Sequence, residues 1–305
     1  APGYLAWGQA TEPCNGHTEL CDRAYNNVSY ACTHNSYSYP PPEDLLVLNQ
    51  RRTIAQQLDD GVRALMLDVV RPVVSSDANG GIISKVLSWI TGKPSDTAAK
   101  DPLDSVHLCH GSCALIDKGK LSDSLGTIRE FLEANPREVV TLIIENVSGF
   151  AAQDLRPSFE AARIDTYAYV PEFSPTPVHN GYPWPTLAQL IAKNQRLVVF
   201  IDDNADPSQV PYILPQWEYV VEIPYANIAP VKQFTCNQDR PRDGVPRDLL
   251  VMNHFAYNRV SVGTKNIDTP LLVSQVKSNG YNELASLSAH RETCRAVWAD
   301  RILNF

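Results

Sequence analysis

No apolar stretch of this 305-residue chain approaches the roughly 18 to 20 residues that a bilayer-spanning helix needs. Positive charge is also short. Its 26 Lys and Arg stand against 34 Asp and Glu, a formal charge of −8. Phosphate backbones demand a basic stripe, so nucleic acid is excluded as a partner. The same deficit argues against electrostatic docking on anionic lipid. Contact with a membrane interface is therefore expected to be transient and driven by apolar groups. The opening Ala1-Pro2-Gly3 has neither the charged nor the apolar region of a signal peptide and reads as already processed or trimmed. Seven cysteines include no CxxC set, which argues against a zinc site. No internal repeat, low-complexity block or dividing linker is visible. The reading is one domain, 1–305, acting as a monomer.

What the chain does have begins with two close cysteine pairs, Cys14/Cys21 and Cys109/Cys113, which suit an oxidising compartment. The expected pairing is Cys14–Cys21, Cys109–Cys113 and Cys236–Cys294, leaving Cys32 as an inert core thiol. The protein is thus expected to be secreted and extracellular. Asn27-Val28-Ser29 and Asn146-Val147-Ser148 are glycosylation sequons, the second the poorer acceptor because it lies beside the site described below.

Apolar, β-branched runs alternate with helical periodicity, the pattern of βα units around a parallel sheet. Strands are expected near 28–33, 63–70, 105–109, 139–145, 165–169, 197–202, 218–223 and 249–253. Helices are expected over 51–60, 122–134 with Ser122 as cap, 151–162, 186–194, 207–214 and 282–299. Eight strands fit a single α/β domain, a (β/α)8 TIM barrel. One insertion, 71–104, follows the second strand. There Ile82, Ile83, Val86, Leu87 and Ile90 fall at helical spacing with Trp89 alongside. Ile83, Leu87, Trp89 and Ile90 are read as a membrane-interface helix dipping into lipid, or as a helix packed on the barrel rim.

Four chemistry-bearing residues end such strands. His34 follows 28–33, Asp68 follows 62–67, His110 follows 105–109 and Glu145 follows 139–144. In a parallel barrel the carboxyl ends of the strands converge on one mouth. Two imidazoles and two carboxylates there make an acid–base pair beside a cation site.

The segments carrying these residues, Thr33-His34-Asn35-Ser36-Tyr37, Gly61-Val62-Arg63 running into Leu67-Asp68, His110-Gly111 and Ile143-Ile144-Glu145-Asn146, resemble in order the motifs of phosphatidylinositol-specific phospholipases C. Trp184-Pro185-Thr186-Leu187, Leu197-Val198-Val199-Phe200 and Asn253-His254-Phe255 look like features of secreted fungal members of that superfamily. The resemblance implies a distorted TIM barrel that cleaves the glycerol–phosphate ester of a phospholipid substrate and releases diacylglycerol. By position, His34 would be the general base and His110 the general acid. Asn35, Asp68 and Glu145 match three ligands of Ca²⁺, a hard cation suited to oxygen donors. Met66 stands where calcium-dependent members carry a further acidic ligand, and a thioether is a poor one.

Selectivity is read from strand ends. Phe200-Ile201-Asp202-Asp203-Asn204 is acidic, so extra ring phosphates are unwelcome, leaving plain phosphatidylinositol or zwitterionic head groups. Asp202, Glu222 and Asn253 are substrate-binding candidates or ordinary turn and rim chemistry. Tyr37, next to a proline run, lines the lipid path or covers the barrel end. Alternatives within the chemistry are a glycerophosphodiester phosphodiesterase or a phospholipase D-type barrel. Outside it stand a glycosidase using Glu145 and Asp202, and a catalytically silent barrel that binds lipid or carbohydrate.

Overall fold

The computed structural model describes residues 12–40, 48–72, 102–110, 113, 117–172, 181–225, 227–228, 231, 233–256, 280–299 and 301–305, with 258–262 and 265–269 as backbone strands. Ile83, Leu87, Trp89 and Ile90 lie outside the described residues, as does most of the 71–104 insertion.

In chain order the first elements are β1 (Cys32–Thr33), α1 (Ile54–Asp59), β2 (Ala64–Val70), β3 (His107–Cys109), β4 (Asp117–Lys120), α2 (Leu121–Ala134), β5 (Val140–Glu145) and α3 (Ala152–Ala162). Then follow α4 (Leu187–Ala192), β6 (Leu197–Ile201), β7 (Ile213–Pro215), the short α5 (Gln216–Tyr219), β8 (Val220–Glu222), β9 (Leu249–Val251), β10 (Asn258–Val262), β11 (Lys265–Thr269) and α6 (Leu284–Val297).

The sheet's middle is β2, β5 and β6, parallel and in register. Their apolar, β-branched residues are buried on both faces, as strands covered by helices should be. Side chains alternate across a strand. One parity, with Leu65, Leu67, Leu142, Ile144, Val199 and Ile201, packs into a core with Leu125 and Ile128 of α2 and Leu155 and Phe159 of α3. The other parity, with Ala64, Ile143, Val198 and Phe200, packs into a second core around Tyr25, Trp184 and Tyr219. Carried past the apolar stretch, that second parity places Asp68, Glu145 and Asp202 on one face at the carboxyl ends.

The expected closed barrel is corrected to a mixed α/β arrangement. Seven strands form a sheet in the order β4-β3-β2-β5-β6-β7, with β1 also paired to β2; β8-β9 and β10-β11 are separate pairs. Among the described residues no sheet closes on itself. Three expectations fail for local reasons. β3 enters antiparallel to β2 and turns straight back into β4. The 165–169 segment forms a 3₁₀ turn over Asp165–Tyr167 and meets the sheet only through the bridge Ala168 to Leu197. No helix forms over 207–214, because the Asp206 carboxylate accepts from the Ser208 amide and hydroxyl, fixing a turn that delivers Ile213–Pro215 to the sheet as β7. Helix α2 begins at Leu121, with Lys120 rather than Ser122 at its cap position.

Residues 304–305 bridge the strand pair to the start of the sheet. The Met252 amide donates to the Phe305 carbonyl and the Tyr30 amide to that of Asn304, each at 2.7 Å. The disulfides are Cys14–Cys21, Cys109–Cys113 and Cys236–Cys294. Cys32 is a free thiol whose pKa burial pushes up to about 12, leaving it protonated and inert.

Candidate active site

A cleft of about 120 Å³ opens at the carboxyl ends of the parallel strands, lined by His34, Asn35, Met66, Asp68, Glu145, Asp202, Glu222, Arg240 and Asn253 among others. Its left wall follows from how β2 is shared. β1 runs up one edge of β2, pairing with Ala64 and Leu65, and β3 runs down the same edge, pairing with Val69 and Val70. The residues just beyond the two strands, His34 and His110, therefore follow on along that edge toward the gap between those pairings. Their proximity registers electrostatically. Burial first, and then the neighbouring His110 charge, lower the His34 pKa from 6.5 to about 3. The His34 ring lies on Phe255, centroids 4.1 Å apart and planes 12° from parallel. Its carbonyl accepts from the Gln50 side chain at 2.6 Å. Asn35 takes a left-handed backbone (φ 47°), which asparagine tolerates, and turns the chain so that the Ser36 amide reaches the Met66 carbonyl. His110 sits inside the five-residue loop closed by Cys109–Cys113, tethering it to the end of β3.

The carboxylates form the floor. Asp68 and Glu145 are register partners on adjacent strands. Asp68 is held well above the usual carboxylate range by burial, then by the Glu145 and Asp202 charges, against the opposing pull of a hydrogen bond from Tyr37. Glu145 is raised by burial and Asp202 and lowered by Arg240. Asp202 is raised by burial, while the Asn146 amide (2.8 Å) and Arg240 pull it down. Glu222 is 3% exposed, ion-paired to Arg240 and within 3.4 Å of the Asn253 amide nitrogen, which also donates to the Ile223 carbonyl at 2.7 Å.

The structure thus gathers His34, Asn35, Asp68, Glu145, Asp202, Glu222 and Asn253 in one cleft, with His110 beside His34. Tyr37 is placed differently from the expected mouth position. It is fully buried behind Asp68, donating to its Oδ2 at 2.8 Å and lying 3.1 Å from the Cys109 carbonyl. The sequence reading missed Arg240, Trp217 and Tyr225. Arg240 comes from a Pro-, Asp- and Arg-rich stretch with no strand pattern, and its backbone bridge and ion pair with Glu222 bring it to the cleft. His107, two residues before His110, pairs across strands with Asp117 at 2.8 Å. Arg63 holds Glu138 at 2.6 Å, a structural ion pair.

The fold and cleft define a class: an α/β protein presenting paired imidazoles over clustered carboxylates at the carboxyl ends of parallel strands. A family model described as PI-PLC X 1 matches residues 95–302. A PI-PLC X domain-containing protein of Arthroderma benhamiae is 30% identical over 288 residues, covering 93% of this chain and 81% of the relative. The chain belongs to the PI-PLC X domain family. An uncharacterized secreted protein of the same fungus is 26% identical over 94% of this chain, and a PI-PLC X domain-containing protein of Arabidopsis thaliana 29% identical over 81%. The chain spans 58% and 52% of those two relatives. A solved structure, the phosphatidylinositol-specific phospholipase C from Listeria monocytogenes, matches at TM-score 0.37 and 18% identity, over 60% of this chain and 54% of that one.

Proposed function

We propose that this protein is a secreted phospholipase C-type phosphodiesterase that cleaves the glycerol–phosphate ester of a phospholipid to give diacylglycerol. The observation that carries the reading is that the strands ending before His34 and before His110 pair along one edge of β2, with His34 lining an acidic cleft and within electrostatic reach of His110. In-line displacement at phosphorus takes a proton on one side and delivers one on the other. His34 takes the proton from the attacking hydroxyl; its depressed pKa keeps the ring neutral, and an anionic phosphodiester would raise it toward the working range. His110 gives its proton to the departing glycerol oxygen. Secretion is supported by three disulfides and by the relative named as secreted. Among the described residues no helix is long and apolar enough to cross a membrane.

The donor set fits a hard cation. The Asp202 charge raises the Glu145 pKa, both charges raise that of Asp68, and the cleft lining has four carboxylates against one guanidinium. Asn35, Asp68 and Glu145 would hold Ca²⁺, which would neutralise charge on the phosphoryl oxygens. Met66 lines the same cleft and adds no oxygen donor.

The test is product analysis on mixed phospholipid vesicles. Diacylglycerol and a phosphorylated head group are expected, with turnover falling about 10²- to 10⁴-fold in His34→Ala and in His110→Ala. Chelator is expected to lower the rate and Ca²⁺ to restore it. Phosphatidate as product, or retained turnover in either histidine variant, would overturn the assignment.

A further inference from the structure

Arg240 is placed by its backbone as well as its side chain. The Glu222 amide donates to the Arg240 carbonyl at 2.8 Å, and the Arg240 Nε donates to the Glu222 carboxylate. The guanidinium lies over two aromatic rings, 4.5 Å from the centroid of Tyr225 and 5.2 Å from that of Trp217. Both distances are within cation–π range. Beyond Glu222, the charges of Glu145 and Asp202 also fall on it. Two aromatic faces, a buried carboxylate and a surrounding negative field are the chemistry that recognises an alkylammonium group. Here a residue of the chain already fills that place.

We infer that Arg240 is the built-in occupant of an ammonium-type subsite and thereby sets head-group selectivity. With Arg240 seated, a choline or ethanolamine cation meets a like charge where its aromatic and acidic partners should be. A head group bearing hydroxyls and no cation meets instead guanidinium and carboxylate hydrogen-bonding groups. Rejection through an occupied subsite is specificity by exclusion. The argument rests on the phospholipase C-type reading of the cleft only for the identity of the group excluded.

The test is calorimetric titration of the full chain with tetramethylammonium chloride, alongside turnover on phosphatidylinositol and phosphatidylcholine vesicles. The unsubstituted protein is expected to show no saturable binding and to leave phosphatidylcholine intact. Arg240→Ala opens the subsite and is expected to bind the probe at least about tenfold more tightly. Arg240→Lys keeps a cation in place and is expected not to bind it. Glu222 is buried and loses its charged partner in the alanine variant. If that variant does not fold, Glu222→Gln/Arg240→Ala carries the same expectation without a stranded charge. Binding by the unsubstituted protein equal to that of Arg240→Ala, or no gain in a folded alanine variant, would overturn the inference. Gained binding without turnover of any phospholipid would uphold the subsite and overturn the phospholipase reading, so the two failures separate.

Discussion

One hydroxyl joins two sides of the cleft. Tyr37 reaches both the Asp68 carboxylate and the Cys109 carbonyl, one residue before His110. Tyr37→Phe keeps the ring and removes the hydroxyl from a buried carboxyl group. It is expected to cost about 1–3 kcal/mol of stability and to lower turnover, read by urea unfolding and by product formation on vesicles. An unchanged unfolding midpoint would mean the hydroxyl contributes nothing. Tyr37 was legible only as an aromatic near a proline run, because burial behind a carboxylate leaves no local pattern. His34, Asp68 and Glu145 were easier. Each directly follows or ends an apolar, β-rich run, and strand parity then decides which face its side chain occupies. Asn146 shows the reverse. Its side chain bonds the Phe150 amide and carbonyl at 2.8 Å and is 7% exposed, so its sequon sits in a turn that a glycan would break.

Among elements, α6 is joined to the chain beyond β9 through a pair of buried histidines. His254 and His290 touch Nδ1 to Nδ1 at 2.8 Å, and the Phe234 ring lies against both. A single proton fits between those nitrogens. Burial lowers both pKa values, that of His290 to about 4 with the His254 charge contributing. The folded value lies below the unfolded 6.5, so the unfolded chain takes up the proton first. Stability from this pair is therefore whole above about pH 6.5 and falls as pH drops toward about 4. A loss on the order of 2–3 kcal/mol is expected, measured as a falling thermal midpoint, with a flatter profile in His290→Gln. An equally steep profile in that variant would clear the pair of responsibility. Element type was legible where burial on both faces wrote continuous apolar runs, as in β2, β5 and β6. It failed at β7, where Pro207 to Leu214 has helix-like composition but Asp206 captures the turn. The direction of β3 was not legible either, since an isolated apolar run carries no information on strand polarity.

At the scale of the whole molecule, long-range ties hold parts that share no ladder. Cys236–Cys294 spans 58 residues and fastens α6 to the segment before β9. In the chain-entropy account a loop of that length is worth about 4 kcal/mol, against about 2 kcal/mol for the short Cys109–Cys113 loop. Cys236→Ser/Cys294→Ser is therefore expected to lower the unfolding midpoint markedly. The same change at Cys109 and Cys113 is expected to lower it less while reducing turnover, because that loop contains His110. Matched losses in both measurements would show that the short bridge serves stability alone. The class of fold was readable from alternating runs, whereas closure was not, because it depends on edge pairings between segments far apart in sequence. The shared edge of β2 has one more implication. Ala64 and Leu65 hold one imidazole's segment and Val69 and Val70 the other's, so three residues of β2 act as a ruler between them. Lengthening that ruler by one residue would part the rings by about 3.3 Å and swing the Asp68 side chain to the opposite face. The working gap between the two histidines is gauged by a strand to which neither of them belongs.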